Sequence, residues 1–278
     1  MTTKQMFADS YPIENGLIQF PRDATIRRQL QPEGVMKHPA KMNLFLLVEA
    51  IKYFTKPGDT IVDCFGGVGT TGIGALMGRN VILIEIEEPF HELQKQELAM
   101  WNEDWDKYVK IISQVSKQDF SQYPRGNLVP ILGDNVKVLP VKCDHMIFSP
   151  PYANDLDKHS GTALTEDIQE SADLYTAHKD NFGNKPDFNY RMLMKKCYKG
   201  VGESVKTGGT VTITHRDRSR AGKRILFAQS IMKEMFANGF GLEEHNRWSA
   251  PGTLAARINE AKGALVINDE DILTFRKK

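Results

Sequence analysis

Residues 60–71 read Thr60-Ile61-Val62-Asp63-Cys64-Phe65-Gly66-Gly67-Val68-Gly69-Thr70-Thr71. A short apolar run ends in an acid and gives way to a loop with three glycines. Glycine admits positive φ and lets the backbone approach a ligand closely. Gly72 to Met77 then reads as a helix whose N-terminal amides face the loop. Asn80-Val81-Ile82-Leu83-Ile84-Glu85 follows as a second buried strand, again closed by an acid. Any one of these glycines alone signals only a tight turn. Strand, glycine loop, helix, strand and acid in that order make a nucleotide-binding βαβ unit, whose second acid grips a ribose diol.

Gly67, Gly69 and Gly72 spell the G-x-G-x-x-G of a dinucleotide fold. However, Asp63 frames the loop, and an acid there repels a pyrophosphate. It suits instead a cationic, amino-acid-bearing ligand such as the sulfonium and amine of S-adenosyl-L-methionine, so electrostatics decides against NAD. A third strand, Asn127 to Leu132, closes on Gly133-Asp134-Asn135 and sets Asp134 at the same edge, placed for an adenine amino group.

A fourth strand, Cys143-Asp144-His145-Met146-Ile147, runs into Phe148-Ser149-Pro150-Pro151-Tyr152. Two prolines stop a strand, because proline lacks the ladder donor and restricts its predecessor. Ser149 and Tyr152 thus sit on a stiff corner at a strand's carboxyl end, where ligands bind in open α/β sheets. Such a corner offers a hydroxyl, a proline-restrained carbonyl and an aromatic face to a planar amine-bearing ring.

Around these motifs, strands and helices alternate, which indicates one doubly wound, mostly parallel sheet of seven strands with helices on both faces. Residues 1–36 lack periodicity and read as an arm; 37–278 form the main domain. Helical spacing marks His38–Phe54, His91–Ser116, Tyr190–Lys206 and Ile225–Asn238. Trp101 and Trp105, at i and i+4, read as core anchors. Gly208–Thr214 is a fifth strand, and the last two fall near Leu242–Trp248 and Ala264–Ile267. Residues 153–189 are polar and irregular, a recognition or lid insertion that includes Lys158 and His159. After His215 comes a basic run, Arg216, Arg218, Arg220, Lys223 and Arg224, leaving the active edge and suited to phosphate contact.

Composition narrows the class. The 278 residues are 41% hydrophobic and 26% charged, with formal net charge +1, so a polyanion must be met by a local patch. No apolar run is long enough to span a bilayer, and the first residues lack a signal-peptide core. Cys64, Cys143 and Cys197 are scattered, without disulfide or zinc spacing, and read as buried thiols in a reducing cytoplasm. No metal is expected.

Together these residues resemble the amino-methylating DNA methyltransferases that use S-adenosylmethionine. Asp63 to Thr71 is similar to that family's cofactor motif, with Cys64 and Gly66 standing where proline and alanine are usual. Ser149-Pro150-Pro151-Tyr152 is similar to its catalytic motif, in the serine spelling associated more with cytosine N4 than adenine N6. His38-Pro39-Ala40-Lys41-Met42 resembles the segment lining the methionine end, which implicates His38 and Lys41. The resemblance implies a Rossmann-like methyltransferase sheet and DNA as partner, as a duplex with a flipped base or as a single strand; it leaves room for a homodimer. Ser149 and the Pro150 carbonyl would accept from the target amine while Tyr152 stacks on the base. No cysteine adjoins the corner, which argues against carbon-5 methylation. Rivals are adenine N6, an RNA base, a glutamine amide in a protein, and a non-catalytic cofactor-binding subunit.

Overall fold

The structure is a computed structural model that describes residues 6–7, 10–38, 41–151, 178–220, 222–250, 261 and 263–278. The parallel core is built from β3 (Thr60–Asp63), β4 (Asn80–Glu85), β5 (Asn127–Leu132), β6 (Cys143–Phe148) and β7 (Val205–His215). β10 (Phe240–Ser249) and β11 (Asp269–Lys277) extend it, with β11 antiparallel to both β7 and β10. A two-residue hairpin, β1 (Ile13–Glu14) and β2 (Leu17–Ile18), adds to the β10 edge through the pair Trp248 and Ile18. The order among described residues is β1-β2-β10-β11-β7-β6-β3-β4-β5, nine strands where the sequence indicates seven.

Alternation within the strands explains the two-sided packing. Successive side chains of a strand point to opposite faces. Ile61, Ile147 and Ile272 enter one core with Leu47, Ile51, Trp101 and Ile112, while their neighbours Val62, Met146 and Leu273 enter the other with Cys197, Val201 and Met235. The first core is covered by α1 (Ala24–Leu30), α2 (Leu44–Phe54), α3 (Glu88–Glu103) and α4 (Trp105–Ser116). The second lies under α6 (Asp187–Ser204) and α7 (Ala228–Ala237), with the single turn α5 (Asn135–Val138) between sheet and α6.

Several boundaries differ from the sequence reading for identifiable reasons. The segment after the glycine loop is a 3-10 helix, Thr70–Met77, with every residue buried. Gly72 and Gly74 let it press against Trp101, Leu128 and Ile61. The long helix expected over 91–116 breaks at Asp104, whose carboxylate accepts from the Lys107 amide and caps α4. Trp101 is fully buried and donates from its indole to the Leu30 carbonyl at 2.7 Å. The final strand is Asp269–Lys277, not 264–267, because Ile272, Leu273 and Phe275 bury their side chains. The basic run folds into an antiparallel pair, β8 (Arg218–Arg220) and β9 (Lys223–Ile225). The three thiols are free and buried. No helix among the described residues is long and apolar enough to cross a membrane.

Candidate active site

From β3 the chain winds outward to β4 and β5, then returns to the other side of β3 as β6 and continues to β7. The winding direction therefore reverses between β3 and β6, and a crevice opens beyond their carboxyl ends. A cavity of about 410 Å³ fills this crevice, and both the glycine loop and the Ser149-Pro150-Pro151 corner line it.

Gly67 (φ 49°) and Gly69 (φ 93°) adopt left-handed backbone that disfavours side chains. The Gly66 amide donates to the Ile84 carbonyl at 2.8 Å, and the Gly67 amide to Glu85 Oε2 at 2.6 Å, tying the loop to β4. Gln94 holds the Gly67 carbonyl at 2.7 Å. Asp63 accepts from the Phe65 amide at 2.9 Å and the Thr71 hydroxyl at 2.5 Å. Burial nevertheless pushes the Asp63 carboxyl up to about 6. Burial likewise pushes Glu85 up to about 7, although the amides of Glu87 and Gly67 favour its charged form. Asp134 lines the cavity, but one carboxylate oxygen caps α5 through the Val136 amide at 3.0 Å and the other pairs with Lys137 at 3.2 Å. Its neighbour Asn135 donates to the Cys64 carbonyl at 2.8 Å.

His38 and Lys41 also line the cavity, with His38 beside Gly67. The His38 ring stands edge-on to Phe90, centroids 4.5 Å apart. Lys41 donates to the carbonyls of His38 and Met36, and burial with nearby Arg27 lowers its ammonium to about 8. Thr70 is held from behind by Arg27 of α1, whose buried guanidinium reaches the Thr70 hydroxyl at 2.9 Å, Gln31 at 2.7 Å and the Met42 carbonyl at 2.7 Å. Nothing in the sequence singled out Arg27; a charge in an unpatterned segment gives no signal of burial.

At the corner, Ser149 is exposed, Pro150 buried and Pro151 half-buried. Tyr152, Lys158 and His159 lie outside the described residues, as does the insertion as far as residue 177. The chain re-enters at His178. There the buried Glu87 carboxylate accepts from the His178 amide at 3.0 Å and the Asn181 side chain at 2.7 Å. This clasp brings Asn181 and Phe182 into the cavity wall, with Phe182 edge-on to Phe65 at 5.4 Å.

Within the basic run arginines are paired with acids. Arg224 is taken up by Asp217 at 2.7 Å and by Asp269 at 3.0 and 2.5 Å. Arg218 pairs with Asp187 at 3.5 Å. Lys223 is exposed; the Arg220 backbone pairs in β8, and its side chain lies outside the described set. Arg216 instead lines the cavity together with Thr214, Trp248 and Glu270, residues the sequence reading did not assign to the cavity.

Residues 17–96 match a family model described as DNA methylase, of the N6/N4 type. The stretch includes the glycine loop and Glu85 but stops before Ser149. The chain is 45% identical over 60 residues to the Type II methyltransferase M.BglI of Bacillus subtilis, covering 21% of this chain and 17% of that one. It is 49% identical over 61 residues to the Type II methyltransferase M2.MboI of Moraxella bovis, 22% of each. The chain thus spans about a fifth of the length of the curated relatives it matches. Among solved structures, TrmN from Thermus thermophilus superposes with a TM-score of 0.50 at 12% identity, covering 88% of this chain and 52% of that one. That likeness establishes the Rossmann-like α/β fold. The local matches support the resemblance to N4/N6 amino-methyltransferases read from the motifs.

Proposed function

We propose that this chain transfers a methyl group from S-adenosyl-L-methionine to an exocyclic amine of a base in DNA, cytosine N4 in preference to adenine N6. The observation that carries the reading is one cavity walled at one end by the glycine loop and its two acids, and at the other by the Ser-Pro-Pro corner. The residues fit the cofactor on two structural grounds. Gly67 lines the cavity at a left-handed φ of 49° that disfavours a side chain, so bare backbone forms this part of the wall. Asn135 Oδ1 is buried with no hydrogen-bond partner among the described residues, an acceptor suited to an adenine amino group.

When bound, the cofactor supplies a methyl group on a sulfonium centre. Asp63 and Glu85 would hold its cationic end and its ribose, with Asp63 mostly ionised near neutral pH. Ser149 Oγ and the Pro150 carbonyl accept hydrogen bonds from the target amine, whose lone pair is otherwise delocalised into the ring. Both bonds would draw the nitrogen toward sp³ geometry, so that its lone pair could take the methyl as the methyl–sulfur bond breaks and its electrons return to sulfur, leaving S-adenosylhomocysteine. The exposed Ser149 hydroxyl passes the surplus amine proton to solvent. Positioning and fixed acceptors supply the rate, without a covalent enzyme intermediate. The target atom is out of reach inside a duplex, so the base is flipped or single-stranded.

Serine at the head of the corner favours cytosine, because that spelling is the one associated with N4 chemistry. Incubating the chain with cofactor labelled in its methyl group, then measuring label in DNA, RNA and protein, tests the reading. Nucleoside digestion of the DNA is expected to give N4-methylcytosine. Label confined to RNA or protein would overturn it.

A further inference from the structure

On the far side of β6 from the glycine loop, β7, β11 and β10 contribute an ordered row of side chains. Phe148 pairs with Ile213 on the parallel neighbour β7, so Ser149 stands beside Thr214. His215 pairs with Asp271 on β11, so Arg216 stands beside Glu270, and Glu270 in turn pairs with Trp248 on β10. Glu270 receives the Arg216 guanidinium at 2.9 Å on one oxygen and the Trp248 indole at 3.0 Å on the other. A carboxylate anchored on both oxygens fixes the plane of the guanidinium beside it. Thr214, Arg216, Glu270 and Trp248 line the cavity that Ser149 and Pro150 enter.

We propose that Arg216, oriented by Glu270 and Trp248, is a base-reading residue that donates to the Watson–Crick edge of cytosine; this rests on the methyl-transfer reading above. With the amine held at Ser149 and Pro150, the same edge continues toward β7 with ring N3 and then the carbonyl oxygen. That edge is about one strand spacing wide, ~4.8 Å, which matches the step from β6 to β7. N3 and the carbonyl are adjacent acceptors, and a guanidinium presents N–H donors as a planar fork. Adenine held by its amine offers only N1 and then a C–H, so half of the fork meets nothing. The cation thus reads a base edge, where the sequence alone suggests a phosphate.

The test uses the full chain and duplexes whose target positions have first been mapped by sequencing methylated DNA. Arg216→Gln is expected to bind S-adenosylhomocysteine within about threefold of wild type while methyl transfer to cytosine falls ~10- to 100-fold. Replacing the target cytosine with 3-deazacytosine, which removes the N3 acceptor, is expected to slow the wild type comparably and the variant little further. Arg216→Lys keeps the charge without the fork and is expected to stay impaired. Full rescue by lysine, or strictly additive losses, would overturn the proposal. If Arg216→Gln loses S-adenosylhomocysteine binding as well, wild-type indifference to 3-deazacytosine decides against it and slowing decides for it. Exclusive N6-methyladenine as product would refute this subsite while leaving methyl transfer intact, whereas no transfer to DNA would sink both.

Discussion

Glu85 carries a folded-state proton that the unfolded chain gives up earlier. Burial raises its carboxyl from 4.5 to about 7. Between those two values the folded protein binds more protons than the unfolded chain, so stability falls as pH rises from about 4.5 to about 7. The gap is worth about 3 kcal/mol at ~1.4 kcal/mol per tenfold. In Glu85→Gln the side chain cannot ionise, and that fall disappears. The amide has its own cost: both carboxylate oxygens accept backbone amides, from Gly67 at 2.6 Å and Glu87 at 2.8 Å. Turning an NH₂ toward either amide costs roughly 1–3 kcal/mol at every pH. The variant is therefore expected to be less stable than wild type at pH 4.5 and to recover about 3 kcal/mol relative to it by pH 8. Urea unfolding at the two pH values measures this. Asp63 shares the same slope in both proteins and cancels from the difference. A wild-type-minus-variant difference independent of pH would refute the reasoning. The ribose diol favours the carboxylate form, so calorimetry near pH 6.5 is expected to show proton release on cofactor binding, weaker in the variant.

Two further outcomes test the frame around the site. Gly16 and Gly69 both have left-handed φ, 75° and 93°, but only a Cβ at Gly69 meets anything, Glu97 Oε2 at 2.6 Å. Gly16→Ala is expected to cost ~1–2 kcal/mol in denaturant unfolding, and Gly69→Ala ~1–3 kcal/mol more with loss of cofactor binding; equal costs would show that the packing behind the loop yields. His145 is buried beside Thr210 at 2.6 Å and stacked on Phe54, and burial lowers its imidazole from 6.5 to about 3. Its contribution is present above pH 6.5 and lost as pH falls toward 3, about 5 kcal/mol in all. His145→Gln is expected to flatten that acid limb of the stability curve, and an unchanged limb would exclude the assignment.

How much was legible in the sequence follows from how local each cause is. The strands ending at Asp63, Glu85, Leu132 and Phe148 announce themselves as short apolar runs and through the acids, glycines and prolines that close them. The cavity's acids and the corner were readable because they sit at strand tips, where topology fixes their place. The N-terminal hairpin was not readable: its strands are two residues each, and its docking depends on Trp248, far along the chain. The pairing within the basic run was unreadable for the same reason. Its neutralising acids, Asp187, Asp269 and Glu270, come from elements tens of residues away. Arg27 looks like any surface charge until Thr70 and Met42 are brought to it by the fold.

In the proposed reaction, methyl donor and acceptor amine meet at Ser149. Single-turnover methyl transfer by Ser149→Ala, beside calorimetric binding of S-adenosylhomocysteine, measures this directly. Ser149 is exposed at the cavity, so cofactor affinity is expected to stay within about threefold of wild type. Transfer is expected to fall ~100-fold, as when one positioned hydrogen-bonding group is removed from an active site. Undiminished transfer by the alanine variant would contradict the account.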